Sequence, residues 1–312
     1  MKILVSGSLA YDRIMEFPGK FNDHILPEKI HMLNVCFVVN GVAEKFGGTA
    51  GNIAYNLALL GERPVILAAV GSDFDRYEHW LTRNGLSLEG IRRIEQELTA
   101  GGYITSDQGG NQITVFNPGA MKHPCRFRPD GYAPDETLAI VSPGNAEDML
   151  TCSRSYKQGK IPYIFDPGQQ IPMLSREQLI EMTTGSRMLI VNNYELQMME
   201  NDTGLDKKDF FSMTGVLIVT LGENGSLVCT AQEEIKIPAA KALRVLDPTG
   251  AGDAYRAGLI KGLILNRPLE VAAKMGAVSA SFSVECQGTQ EHRFRMEDFN
   301  NRYQENFGAL NL

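Results

Sequence analysis

The chain has few cysteines, one tryptophan, no long apolar run and no basic block. Its five cysteines, at 36, 125, 152, 229 and 286, are widely spaced and form no CxxC pair. A disulfide framework and a thiolate zinc site are therefore not expected. The five histidines, at 24, 31, 79, 123 and 292, show no HExxH or other ligand spacing. They read as surface or lid residues, and no transition metal is expected. No segment approaches the length of a membrane span, so no membrane partner is expected. Lysine plus arginine number 30 against 37 aspartates plus glutamates, a net charge of −7. Without a basic tract, nucleic acid is not an expected partner. The opening MKILVSGSLAYD turns polar too early for a signal-peptide core, which with the cysteine usage predicts a cytoplasmic protein.

What is present is the composition of a compact fold. The 312 residues are 43% hydrophobic and 21% charged, enough to bury a sizeable core. Short β-rich apolar runs recur at 2–6, 65–70, 138–142, 161–166, 187–191, 215–220 and 227–230, with helical stretches between them. Such runs predict an α/β fold, doubly wound, with a mostly parallel central sheet flanked by helices. Two segments break the rhythm, 13–41 and 101–124, and the second alternates from Gln112 to Phe116 like a half-exposed strand. They are expected to form a small β-strand lid within a single domain spanning 1–312, because no repeat or long linker separates them.

The chemistry concentrates at 245–264, VLDPTGAGDAYRAGLIKGLI. Here an apolar strand end runs through Asp247, Pro248 and Thr249 into Gly250, Ala251, Gly252 and Asp253, and then into a helical pattern. Glycines at the mouth of a helix let backbone N–H groups close on an anion, helped by the helix dipole. The stretch lacks the GK[ST] of a Walker loop, and Tyr255 stands where a dinucleotide fingerprint needs its third glycine. A carboxylate beside a bound phosphate, as Asp253 would be, suits a proton acceptor for an attacking hydroxyl. Taken alone, the bare GxGD reads first as a helix cap after a tight turn, and the longer string shifts that weighting.

DPTGAGDAYRAGL resembles the second signature of the ribokinase-like sugar and nucleoside kinases, the phosphofructokinase-B family. The first signature of that family is matched by GGTAGNIAYNLALLG at 47–61, where Ile53, Leu57 and Leu60 share a helix face and Gly61 can stop the helix. Smaller matches fall in family order: SGSLAYD at 6–12, Asn192-Asn193-Tyr194-Glu195, and Thr220-Leu221-Gly222-Glu223-Asn224-Gly225. The resemblance covers about residues 2 to 290 and implies an ATP-dependent kinase.

The roles it implies are these. Asp253 is the catalytic base, and Gly250, Ala251 and Gly252 form the anion hole. Ser8, Asp12, Gly48 and Asn52 form a polar cup for substrate hydroxyls, with Phe116 supplying a stacking wall together with Ile25 and Met121. Asn192 and Glu195 organise magnesium through water, while Thr220, Gly222 and Gly225 contact the nucleotide. A monovalent cation, potassium, would lie near Asp247, Thr249 and the 284–290 segment. Arg256 is left with two readings, a phosphate contact or a charge reaching solvent.

The lid wording, HILPE at 24–28, NQITVFNPGAM at 111–121 and FDPGQ at 165–169, looks like the bacterial and archaeal adenosine and nucleoside kinases of the family. The expected reaction is 5′-phosphorylation of a ribonucleoside, adenosine first, with a sugar kinase acting on ribose or fructose as the alternative. A phosphorylated acceptor would want cations near the cup, and Lys20, Lys29, Lys45, Arg126 and Arg128 have no place assigned by sequence. Edge pairing of lid strands leaves monomer and homodimer both open.

Overall fold

Apolar strands of this kind are stable only when both faces of their sheet are covered, and the helices between them do the covering. A computed structural model, which describes residues 1–309, shows how. Residues 310–312 of the expected domain lie outside the described residues. In chain order the strands are β1 (Lys2–Ser6), β2 (Ala10–Glu16), β3 (Val42–Gly47), β4 (Val65–Gly71), β5 (Ile91–Ile94), β6 (Ala100–Ser106) and β7 (Gln112–Asn117). They continue with β8 (Thr137–Val141), β9 (Tyr163–Phe165), β10 (Met188–Asn192), β11 (Leu217–Thr220), β12 (Ser226–Cys229) and β13 (Glu234–Ile237). The helices are α1 (Thr49–Leu59), α2 (Asp75–Arg83), α3 (Ala146–Gln158), α4 (Arg176–Thr183), α5 (Asn193–Thr203), α6 (Lys207–Thr214), α7 (Ala251–Ile264), α8 (Leu269–Ser283) and α9 (Met296–Phe307).

Nine strands form one sheet in the order β13-β12-β11-β10-β9-β8-β1-β4-β5, parallel from β11 to β5 and antiparallel at β12 and β13. Alternation along each strand sends Ile3, Val5, Ile190 and Ile218 to the face covered by α1, α2, α7, α8 and α9. Leu4, Leu189, Val191 and Leu217 go to the face covered by α3, α4, α5 and α6. The doubly wound, mostly parallel sheet is as expected. The strands absent from the apolar runs, β5 and β13, are the two sheet edges, where IRRI and EIKI keep polar residues because one side meets water.

The remaining strands make a second, four-stranded sheet in the order β3-β2-β6-β7. Its strands begin and end differently from the segments 13–41 and 101–124. β2 starts at Ala10, β3 follows residue 41, and residues between 17 and 41 are irregular apart from short 3-10 turns at Phe21–Asp23 and Pro27–Met32. VAEKFG of β3 is half exposed and mostly polar or small, so its apolar pattern is faint.

Candidate active site

The crevice forms where the winding reverses. From β1 the chain order runs one way through β4 and β5 and the other way through β8 to β11, so the loops at the carboxyl ends of these strands part beside β1. The lid sheet closes the opening. Asp12 pairs with Gly102, which pairs with Phe116, and one step along Ile14, Ile104 and Thr114 line up in the same way. Side chains of paired residues share a face, so Asp12, Ile104, Thr114 and Phe116 all line a cavity of about 570 Å³. Ser8, Gly48, Asn52, Asn192, Glu195 and Asp253 line it from the body. A second cavity, about 640 Å³ and mainly apolar, is lined by Gly225, Ala240, Val245, Ala251 and Ala277, and the two meet at Thr220, Gly222 and Gly252.

The turn between the cavities is built by its glycines. Gly250 caps α7 with φ +79°, a conformation that L side chains resist, and a Cβ there would also meet Thr289 Cγ2 at 2.9 Å. At Gly252 space decides, because a Cβ would fall 2.6 Å from Arg256 Nη1. The Ala251 N–H donates to the Pro248 carbonyl at 3.2 Å.

Asp253 sits in the first turn of α7 and accepts a hydrogen bond from Asn52 Nδ2 at 2.8 Å. The Asn52 amide is itself fixed, since its Oδ1 accepts from Thr289 Oγ1 at 2.8 Å and from Gln290 Nε2 at 3.0 Å. Gln290 Oε1 in turn accepts from Trp80 Nε1 at 2.9 Å. Burial raises the Asp253 carboxyl above its ordinary pKa, against the opposing pull of the Arg256 charge and the Asn52 hydrogen bond. Asp12, pushed up to about 6 first by burial and then by the negative charges of Asp253 and Asp247, lies over glycines on both neighbouring strands. A Cβ on Gly47 would strike its Oδ2 and one on Gly102 would reach 3.2 Å from its Oδ1.

Arg256 does not reach solvent. Its guanidinium is 7% exposed and pairs with Asp166, which is 1% exposed, through Nη2 to Oδ1 at 2.6 Å with Nε against Oδ2. Burial pushes Asp166 up to about 7 despite that cation. Asp166 was not among the expected site residues. Its signal was its place in FDPGQ, an acid one residue past the end of β9. Thr289, Gln290 and Gln169 are further site residues that sequence reasoning did not single out, since they come together only through the fold.

The other expected residues fall as follows. Asn192 and Glu195 form a reciprocal cap on α5, with Asn192 Oδ1 accepting from the Glu195 N–H and Glu195 Oε2 accepting from the Asn192 N–H, both at 2.7 Å. The second Glu195 oxygen takes no part in that cap. No group of three or more His, Cys, Asp or Glu side chains able to hold a metal occurs among the described residues. That donor set suits a cation which keeps most of its waters, as magnesium does. Asp247 lines neither cavity. Its Oδ1 accepts from the Thr249 N–H and its Oδ2 from the Gly288 N–H, both at 2.9 Å, which draws 247–249 against the 284–290 segment. Ser8 Oγ accepts from the Thr49 N–H at 3.0 Å, supporting the start of α1, and Gly48 takes φ +87°, where a Cβ would fall 2.6 Å from the Ser8 carbonyl oxygen. At Gly225, with φ +86°, a Cβ would strike the Ile237 carbonyl oxygen.

Two expectations change. Met121 lines a small separate recess with Ser6, Leu67 and Asn145, and neither it nor Ile25 lines the 570 Å³ cavity, so Phe116 and Ile104 make its apolar wall. His292 is neither a surface nor a lid residue. It is 2% exposed, with Nε2 2.8 Å from Asn56 Oδ1, and burial lowers it to about 4.

Known proteins share this architecture. The sequence profile described as "pfkB family carbohydrate kinase" matches residues 19–293. A nucleoside kinase of Methanocaldococcus jannaschii is 33% identical over 291 residues, 93% of this chain and 92% of that protein. The structure of Burkholderia thailandensis nucleoside kinase in complex with inosine superposes with a TM-score of 0.88 at 34% identity, covering 98% of both chains. The same enzyme in complex with ADP-inosine gives a TM-score of 0.86 at 35% identity, over 99% of this chain and 98% of that one.

Proposed function

Because the chain belongs to the pfkB family of carbohydrate kinases and is a phosphotransferase with an alcohol acceptor, we propose that its acceptor is a ribonucleoside, phosphorylated at the 5′-hydroxyl by ATP, with adenosine the leading candidate. One observation carries the reading. Asp12, Asn52 and Asp253 converge in one cavity that also has an apolar wall of Phe116 and Ile104, across the glycine turn from a second, apolar cavity. A carboxylate and an amide suit the paired hydroxyls of a ribose, and an aromatic wall suits a base that a free sugar lacks. The nucleoside kinases of similar fold, one of them bound to inosine, support the same choice. None of Lys20, Lys29, Lys45, Arg126 and Arg128 lines the cavity, which favours an unphosphorylated acceptor.

In this reading the acceptor oxygen forms a bond to the γ-phosphorus as the bond to the bridging β–γ oxygen breaks. The electron pair leaves with ADP, and the hydroxyl proton passes to Asp253. The raised pKa of Asp253 makes it a better acceptor than an exposed carboxylate, and a loose transition state asks for the proton late. The glycine turn and the α7 dipole stabilise the charge on the transferring group. Glu195 and Asn192 would hold magnesium through water, where it would neutralise phosphate charge, and Asp247 and Thr249 would hold a potassium ion.

A coupled assay of ADP release with ATP and magnesium, run over adenosine, inosine, guanosine, cytidine, ribose and fructose, tests this. Turnover is expected on nucleosides and should fall roughly 1,000-fold or more in Asp253→Asn. Turnover on a sugar alone overturns the nucleoside reading.

A further inference from the structure

Arg256 is the only lysine or arginine that lines the 570 Å³ cavity, the acceptor side in the reading above, among the described residues. Burying a cation so completely is costly unless it is paired, and Asp166 supplies the partner. That pairing occupies one edge of the guanidinium, the Nε and Nη2 side. A guanidinium has five donors in a rigid fork, so the Nη1 edge is left for something else. Nη1 lies where a Cβ on Gly252 would be 2.6 Å away, so it rests directly on the backbone of the anion turn. Arg256 also follows Asp253 by three residues on α7, which puts the cation and the base on one helix face. It lines the acceptor-side cavity and not the apolar one, so its charge stands on the acceptor side of the turn.

We infer that Arg256 binds the phosphoryl group in transit between donor and acceptor, and that Asp166 is the positioning residue that keeps the guanidinium aimed at it. The physical need for Asp166 follows from what else is near. The Arg256 charge already lowers the Asp253 carboxyl, and an Arg256 with no other anion to pair with would turn onto Asp253 and occupy the base. Held by Asp166, the guanidinium keeps Asp253 available and still meets the extra negative charge of the γ-phosphate. The inference rests on the kinase reading and not on which acceptor is used.

The test compares binding of a non-hydrolysable ATP analogue with binding of ADP, both with magnesium, by calorimetry on the full chain. Arg256→Gln is expected to weaken the analogue about tenfold or more while leaving ADP within about twofold, and to lower kcat roughly 100-fold or more. Millimolar guanidinium should restore part of the rate to Arg256→Ala. Asp166→Asn should weaken the analogue in the same direction as Arg256→Gln but by less, leave ADP within about twofold, lower kcat, and move the acid limb of the pH–rate profile downward, because Asp253 then feels more of the cation; an unchanged analogue affinity and pH profile in Asp166→Asn would remove Asp166 from the positioning role. Equal weakening of both nucleotides, or an unchanged kcat in a folded Arg256→Gln, overturns the inference. If Arg256→Gln does not fold, Arg256→Lys, which keeps the charge but not the fork, should show a smaller loss confined to the analogue, and uniform loss again overturns it. Failure of the nucleoside reading would appear separately, as wild-type protein that prefers the analogue to ADP yet turns over no nucleoside.

Discussion

Two carboxylates in one crevice have been given different work by their surroundings. Asp253 is held by an amide whose own orientation is fixed on the far side by Thr289 and Gln290, whereas Asp12 lies over two glycines, Gly47 and Gly102. Folding therefore raises the Asp12 pKa from its ordinary 3.8 to about 6. Between those values the folded state binds more protons than the unfolded one, so the contribution of Asp12 to stability is favourable at low pH and is lost as pH rises through about 6. Asp12→Asn should thus raise Tm relative to wild type more at pH 8 than at pH 5, as differential scanning calorimetry would report. The same substitution removes a charged acceptor for ribose hydroxyls, so nucleoside affinity at pH 8 should fall roughly 10- to 100-fold. An equal Tm change at both pH values would show that Asp12 is not destabilised by its ionised form.

Two helices carry the signatures, and their glycines serve different ends. Gly61 ends α1 at φ +83° with nothing within 4 Å of a would-be Cβ, so only backbone strain opposes a side chain there. Gly258 has no such constraint, but a Cβ would fall 2.4 Å from the Met275 carbonyl oxygen and force α7 from α8. Gly61→Ala should cost about 1 kcal/mol. Gly258→Ala should cost more, roughly 2–3 kcal/mol, by overpacking. Only the second should also lower kcat, since α7 carries Asp253 and Arg256. Urea titration and the coupled assay together separate the two cases, and equal effects of both substitutions would contradict this division.

At the scale of the whole molecule the lid and the body meet at the single tryptophan. Trp80 stacks on Phe46 of β3 at 5.2 Å and donates to Gln290, which bonds Asn52 in the crevice. Movement of the lid sheet over a bound nucleoside would change the stack on Phe46, and a nucleoside engaging Asn52 would change the Gln290 contact. Nucleoside binding should therefore shift or quench tryptophan emission in wild type, and Asn52→Ala should lose most of that response at saturating nucleoside. An unaltered response in the variant would place the coupling elsewhere.

The winding of the main sheet was legible in the chain because buried strands are written as continuous apolar runs, and seven such runs stand out, six of them parallel strands and the seventh the antiparallel β12. The glycine turn at 250–252 and the residues of α1 were legible for the same local reason, since φ, helix period and helix ends are properties of neighbours along the chain. β3, β5 and β13 were faint because half-exposed and edge strands keep polar residues on the side that meets water. What only the tertiary structure decided is partnership across distance. Asp166 and Arg256 are 90 residues apart, and Asn52 and Asp253 are 201 apart. Nothing local announces such pairs, because the forces that join them, desolvation of charge and the need to satisfy buried hydrogen-bonding groups, act only after the fold has removed the water between them.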